Sequence, residues 1–120
     1  MTVVNVINVA TITPVMAAGA VPTSRAAIVD VAADKVAKVN SLIIANIDGA
    51  NAADITVEVS IDDGSSYVAI AKTISVPADA TLVVVGKDNG FYLDETDILA
   101  VTASAASDLT YLVSYELMTD

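Results

Sequence analysis

The chain has no cysteine, no histidine and no tryptophan, and it is short of aromatic residues and of positive charge. Without cysteine there are no disulfides, no thiolate nucleophile and no Cys/His zinc site. Without histidine the commonest general base is missing. An enzyme built from this chain would have to work with carboxylates, four lysines, one arginine, four tyrosines and hydroxyls. No lysine has a serine three residues before it, so the Ser-x-x-Lys arrangement of a serine nucleophile does not occur. A glycosidase with paired carboxylates lacks a tryptophan on which to stack a sugar. The sequence points away from catalysis, and no cofactor is expected: it contains neither a phosphate-binding loop nor a dinucleotide fingerprint.

Long apolar runs are also absent. None approaches the ~18 residues that cross a bilayer, and the longest is the small-residue stretch around "PVMAAGAVP". Its "AGA" resembles a signal-peptide cleavage site, but "MTVVNVINVA" has no basic start and is interrupted by Asn5 and Asn8, so the N-terminus reads as mature structure. The 15 acidic and 5 basic residues give a net charge of -10. Such a surface repels nucleic acid and anionic lipid, and neither is expected as a partner.

What remains is 120 residues with 55% hydrophobic content, enough for one domain with a core. "DITVEVSID" alternates, with Ile55, Val57, Val59 and Ile61 on one face and Asp54, Thr56, Glu58, Ser60 and Asp62 on the other. That period of two is a half-buried strand. "LTYLVSYEL" repeats it through Leu109, Tyr111, Val113, Tyr115 and Leu117, broken by Leu112. In "VAKVNSLIIANID" (36–48), Val39, Ile43, Ala45 and Ile47 share one face, while Leu42 and Ile44 occupy the other, as in a strand covered on both sides. Weaker strands are expected at 25–31, 67–72, 81–86 and 97–104, with "FYL" as a short extended piece; "VAADKVAK" (31–38) is the one helical candidate.

Gly, Asp, Asn and Pro77 supply turns between these runs. Short strands at this spacing predict an all-β fold, an antiparallel β-sandwich of jelly-roll or immunoglobulin-like type over residues 25–120. Residues 1–24 read as an extended N-terminal arm that either adds a strand to its own sheet or lies on a neighbouring subunit.

Calcium is the metal to consider, because the turns carry hard oxygen ligands: Asp62 and Asp63, Asp88 and Asn89, then Asp94, Glu95 and Asp97. None follows EF-hand spacing. A site would form from Asp88, Asp94 and Asp97 if "KDNG" and "DETD" met across "FYL"; solvated turn residues are the simpler reading.

From "SLIIANID" to "SYEL" the sequence resembles small structural proteins of tailed-bacteriophage virions. The shared elements are an Asn closing an apolar strand (Asn46), a V-P-A before a β run (Val76, Pro77, Ala78), an L-x-E-x-D-x-L turn (Leu93, Glu95, Asp97, Leu99) and a closing S-Y-E (Ser114, Tyr115, Glu116). The position between Glu95 and Asp97, often Gly in that pattern, is Thr96 here. The resemblance implies a virion protein made in the host cytoplasm. It would be a capsid decoration or cement protein on the outer surface, bound to the major capsid protein, or a neck, tail or fibre component. A carbohydrate or host-surface binding module is a further alternative. A homo-oligomer, most narrowly a trimer, is expected, with interface candidates Val4, Val6, Ile7 and Ile12 in the arm and Leu42 and Ile44 in the 36–48 strand.

Overall fold

The described residues form nine strands: β1 (Thr11–Ala20), β2 (Ala26–Asp30), β3 (Lys35–Asn46), β4 (Ala53–Ser60), β5 (Val68–Val76), β6 (Thr81–Val85), β7 (Phe91–Leu93), β8 (Ile98–Ala103) and β9 (Leu109–Thr119). The structure is a computed structural model and describes residues 4–120. One sheet has the order β1-β9-β3-β6, with β7 also on β3; the other has the order β2-β8-β4-β5. Every pairing is antiparallel. The pairs β1:β9, β2:β8, β3:β6 and β4:β5 form one long ribbon folded over on itself, and β3:β9 and β4:β8 then seal the two sheets. Between the two expected sandwich types, this strand order is the jelly roll.

The core lies between the sheets. β4 contributes Ile55 and Val57, β8 contributes Leu99, Val101 and Ala103, and these face Val39, Leu42, Ile44, Leu109 and Val113 of the first sheet. Tyr111, Tyr115 and Leu117 pack on its margin, so all five alternating residues of β9 point inward, as the pattern requires. Ile61, assigned by alternation to the same face as Ile55, is exposed because β4 ends at Ser60. The buried Ser60 hydroxyl donates to Asp62 Oδ1 and accepts from the Gly64 amide, both at 2.8 Å, which turns the chain.

β3 departs from the expected phase. The register with β9 shifts between Val39 and Ser41, leaving Asn40 as a bulge. Ala37 and Val39 point inward before it, and Leu42, Ile44 and Asn46 after it. Two further expectations fall here. Leu42 and Ile44 are completely buried, so they cannot serve as interface residues. The helical candidate 31–38 is a turn, in which Asp34 takes φ 63°, followed by the first residues of β3. Gly90 lies against the bulge, where a Cβ would stand 2.8 Å from the Val39 carbonyl oxygen. Only glycine allows this approach.

β1 runs through the small-residue stretch of the first 24 residues and adds a strand to the chain's own sheet. It pairs with β9 over ten consecutive positions from Thr11↔Thr119 to Ala20↔Thr110, without a register shift. Pro14 is tolerated because of which way it faces. Val21 N donates to Leu109 O at 2.9 Å, so in this register the odd-numbered residues of β1 exchange hydrogen bonds with β9. The even-numbered ones, Pro14 among them, face away from β9 toward the open edge, where a missing N–H breaks no bond of the sheet.

Candidate functional site

The acidic turn "DETD" follows β7 and leads into β8. Its carboxylates are taken up by the backbone. Asp97 Oδ2 accepts from the Asp94 amide and Asp94 Oδ1 from the Glu95 amide, each at 2.8 Å. Glu95 is only 5% exposed and accepts from the Asp34 amide at 2.8 Å across the sandwich end. Two backbone bonds, Thr96 N to Val31 O (2.8 Å) and Val31 N to Asp97 O (3.1 Å), complete a clamp between the β2–β3 and β7–β8 turns. Thr96 has φ 67°, the left-handed region, at the position where the resembling pattern often has glycine.

The calcium candidates do not converge. Asp88 sits in the short 3-10 turn Lys87–Asn89 and lines a depression with Lys38, Asn40 and Lys87. Asp94 and Asp97 line a different one with Val4, Val6, Val36 and Tyr92. Among the described residues no group of three or more His, Cys, Asp or Glu is arranged to hold a metal ion.

Asn46 and the V-P-A turn meet at the opposite end of β3. Asn46 is 3% exposed; its Nδ2 donates to Val76 O (2.9 Å) and Asn51 O (3.0 Å), and its Oδ1 accepts from the Asp48 amide (2.8 Å). Its own amide donates to Ala80 O at 2.8 Å. One side chain therefore joins the β3–β4 loop to the V-P-A turn after β5, with every polar atom used. Asp48 extends this node by accepting from the amides of Ala50 and Asn51, and these bonds hold its carboxyl below the ordinary 3.8. Asp62 is lowered likewise, first by the Ser66 hydroxyl, then by the Ser66 amide and Ser60. In the closing S-Y-E, Tyr115 packs on the core, Ser114 pairs with Ser41, and Glu116 accepts from Asn40 Nδ2 at 3.2 Å, tying down the bulge.

The arm candidates divide. Val4 is buried against Val36 and Met118 of its own chain, whereas Val6, Ile7 and Ile12 are exposed.

Sequence reasoning missed the outer face of the first sheet. The register places Ala18, Leu112, Ile43 and Val83 in one row across four strands, and Ala20, Thr110, Ala45 and Thr81 in the next. Neither row carries a charge. Val83 is 59% exposed, and the neighbouring Met16 is 68% exposed. Leu112, which broke the alternation of β9, was the available signal. The outer face of the second sheet is different: Asp54, Thr56 and Glu58 project from β4, and Glu58 receives Arg25 in a two-pronged ion pair at 3.0 and 3.1 Å. Arg25 also lies 3.9 Å from the centroid of the Tyr67 ring.

No protein-family model matches the chain, and no curated protein matches it. Among solved structures, similarity is found to a pentameric capsid protein isolated from metagenomic phage sequences, at 18% identity and TM-score 0.41, covering 87% of this chain and 60% of that one. A second structure of such a protein, solved by iodide phasing, gives 18% identity, TM-score 0.40 and coverage of 87% and 64%. The chain thus spans less than two thirds of either capsid protein. A third similarity, at 13% identity and TM-score 0.43 with 91% and 87% coverage, is to Bacillus endospore appendages that form disulfide-linked pili. This chain has no cysteine with which to make such links.

Proposed function

We propose that the chain is a non-enzymatic structural subunit of a tailed-phage virion, and specifically a decoration protein that lies on the outer surface of the major capsid lattice as a symmetric homo-oligomer. The observation that carries this reading is an uncharged patch on the outer face of the first sheet, apart from the row in which Glu116 meets Lys38. A chain of net charge -10 has ample polar surface with which to cover a sheet, yet two successive four-strand rows there are apolar or hydroxylic. A face of that composition gains by being covered. The residues shared with virion proteins support the reading in a second way: Asn46, Val76 and Glu95 hold the sandwich ends together, so what they preserve is a rigid building block. The jelly roll itself is used by capsid and lectin domains alike and decides nothing.

The test is quantitative mass spectrometry of purified particles of the phage that encodes the chain, followed by electron microscopy. Copies in the hundreds, seated through the Leu112 and Ile43 rows, are expected. A handful of copies at one vertex makes it a neck, tail or fibre component instead. Absence from particles, with a glycan-array signal from the purified chain, overturns the virion reading in favour of a carbohydrate-binding module.

A further inference from the structure

A two-sheet sandwich has four open edges, and here three of them are blunted. β5 is broken by two register shifts and carries Lys72 and the positive-φ Thr73. β2 is five residues long with a shift between Ala27 and Val29. The β6–β7 edge consists of strands of five and three residues separated by the turn bearing Lys87 and Asp88. Shortness, bulges, lysines and proline are the devices that keep edges from pairing with other chains. β1 has only Pro14, near its start: it is ten residues long, in continuous register and uncharged.

Its charge is singular in the whole chain. No ionisable side chain occurs before Arg25, so all 15 acidic and 5 basic residues lie in 25–120. Two copies that approach through most other surfaces bring carboxylates together. Through β1 they do not.

The donors on this edge also follow a symmetric plan. The even-numbered residues of β1 face outward: Pro14 has no N–H, Met16, Ala18 and Ala20 do, and the strand ends at Ala20, since the Pro22 carbonyl turns to the other sheet and accepts from Ala103 N at 2.8 Å. This window is centred on Ala18. In an antiparallel pairing of β1 with its own copy about a two-fold axis at Ala18, Met16 meets Ala20 of the other chain, Ala18 meets Ala18, and each Pro14 falls just beyond the end of the other strand. Every N–H in the window then finds a carbonyl, and pairing stops where donors stop. On the inner face the same register sets Ala17 opposite Gly19, where bulk is least.

We infer that the β1 edge is a homodimer interface, through which a second copy of this chain continues the first sheet across a two-fold axis at Ala18. The inference does not depend on the virion reading and concerns the purified chain alone. It gives a two-fold pair in place of the trimer that the resemblance suggested, and it leaves the apolar face of the sheet free for another partner.

Analytical ultracentrifugation of the purified chain tests it. The expected mass at micromolar concentration is twice the 12.2 kDa of the chain, and association tightens by about tenfold or more as salt is raised from roughly 20 to 300 mM, because screening relieves repulsion between two acidic bodies. Ala18→Pro removes the central outward N–H without touching a β1–β9 bond, so it should abolish the dimer while circular dichroism and thermal unfolding stay those of a folded sandwich. Since the chain has no cysteine, Ala18→Cys should cross-link to itself through a short bis-maleimide, and Ile74→Cys on the β5 edge should not. A monomer at 100 µM, a trimer or higher ring, a dimer that survives in folded Ala18→Pro, or equal cross-linking from position 74 overturns the inference.

Discussion

At its C-terminal end β3 is held by a neutral side chain and at its N-terminal end by a charged one. Asn46 gathers two carbonyls and an amide from the loops around it, all donors and acceptors matched. Glu95 reaches across to a single amide, that of Asp34, and the two turns it joins contain left-handed Asp34 and Thr96. The neutral node saturates its groups and has one left-handed residue beside it, Asp79 at φ 59° in the turn after β5. The charged one accepts two residues in an unfavourable region and is offset by a charge-assisted bond. The two ends of one strand therefore do the same work with different margins, and the Asn46 end has more to lose.

Asn46→Ala should break that end most severely. It removes the partner of the buried Val76 carbonyl and of the half-buried Asn51 carbonyl and Asp48 amide, at a cost of about 3 kcal/mol. A fall of roughly 10 °C in Tm follows for a domain of this size, read by differential scanning calorimetry. At the other end Glu95→Ala should cost about 2 kcal/mol, while Glu95→Gln, which keeps an acceptor for the Asp34 amide, should cost about half of that. Equal losses from Ala and Gln would mean that the Glu95 charge, and not its hydrogen bond, holds the clamp. Thr96→Gly should act in the opposite direction. It relieves a β-branched residue at φ 67° and gains about 0.5 kcal/mol after the greater freedom of glycine in the unfolded chain is subtracted. The smallest effect is on acid sensitivity. Asp48 and Asp62 are both held below 3.8 in the folded chain, so their contribution is present above that pH and is lost as pH falls through the lowered folded values. In Asp48→Asn the fall in Tm below pH 4 should be shallower than in the parent, because the variant has already lost this small contribution at pH 7.

β4 and β9 were legible because each buries one face and alternates, with Leu112 as the exception in β9; Ile55, Val57 and Leu109, Val113 stand where their period puts them. β3 was not, because one extra residue at Asn40 inverts the phase halfway along, and the residues that looked fit for a partner, Leu42 and Ile44, are core. β1 was hidden for another reason. An edge strand needs hydrogen bonds on one side only and buries little, so neither alternation nor the absence of proline marks it. The acidic turn was read as solvated, whereas Asp97 bonds the Asp94 amide within the turn and Glu95 is buried. Glu95 was legible as a motif position, but its partner, the amide of Asp34, has no side-chain signature to find.

The place of β9 has a consequence for the order in which the molecule can be made. β9 lies between β1 and β3 in the first sheet, and it follows both of them in the chain by more than sixty residues. During synthesis β1 has no neighbour to pair with until residues 109–119 have left the ribosome. The neutral edge is then doubly open, and the sheet closes through its most distant contacts, which is the slow route to a native fold. A nascent or truncated chain that ends before Leu109 therefore presents β1 with both sides unpaired, a form that chaperones and other copies of the same strand can both capture.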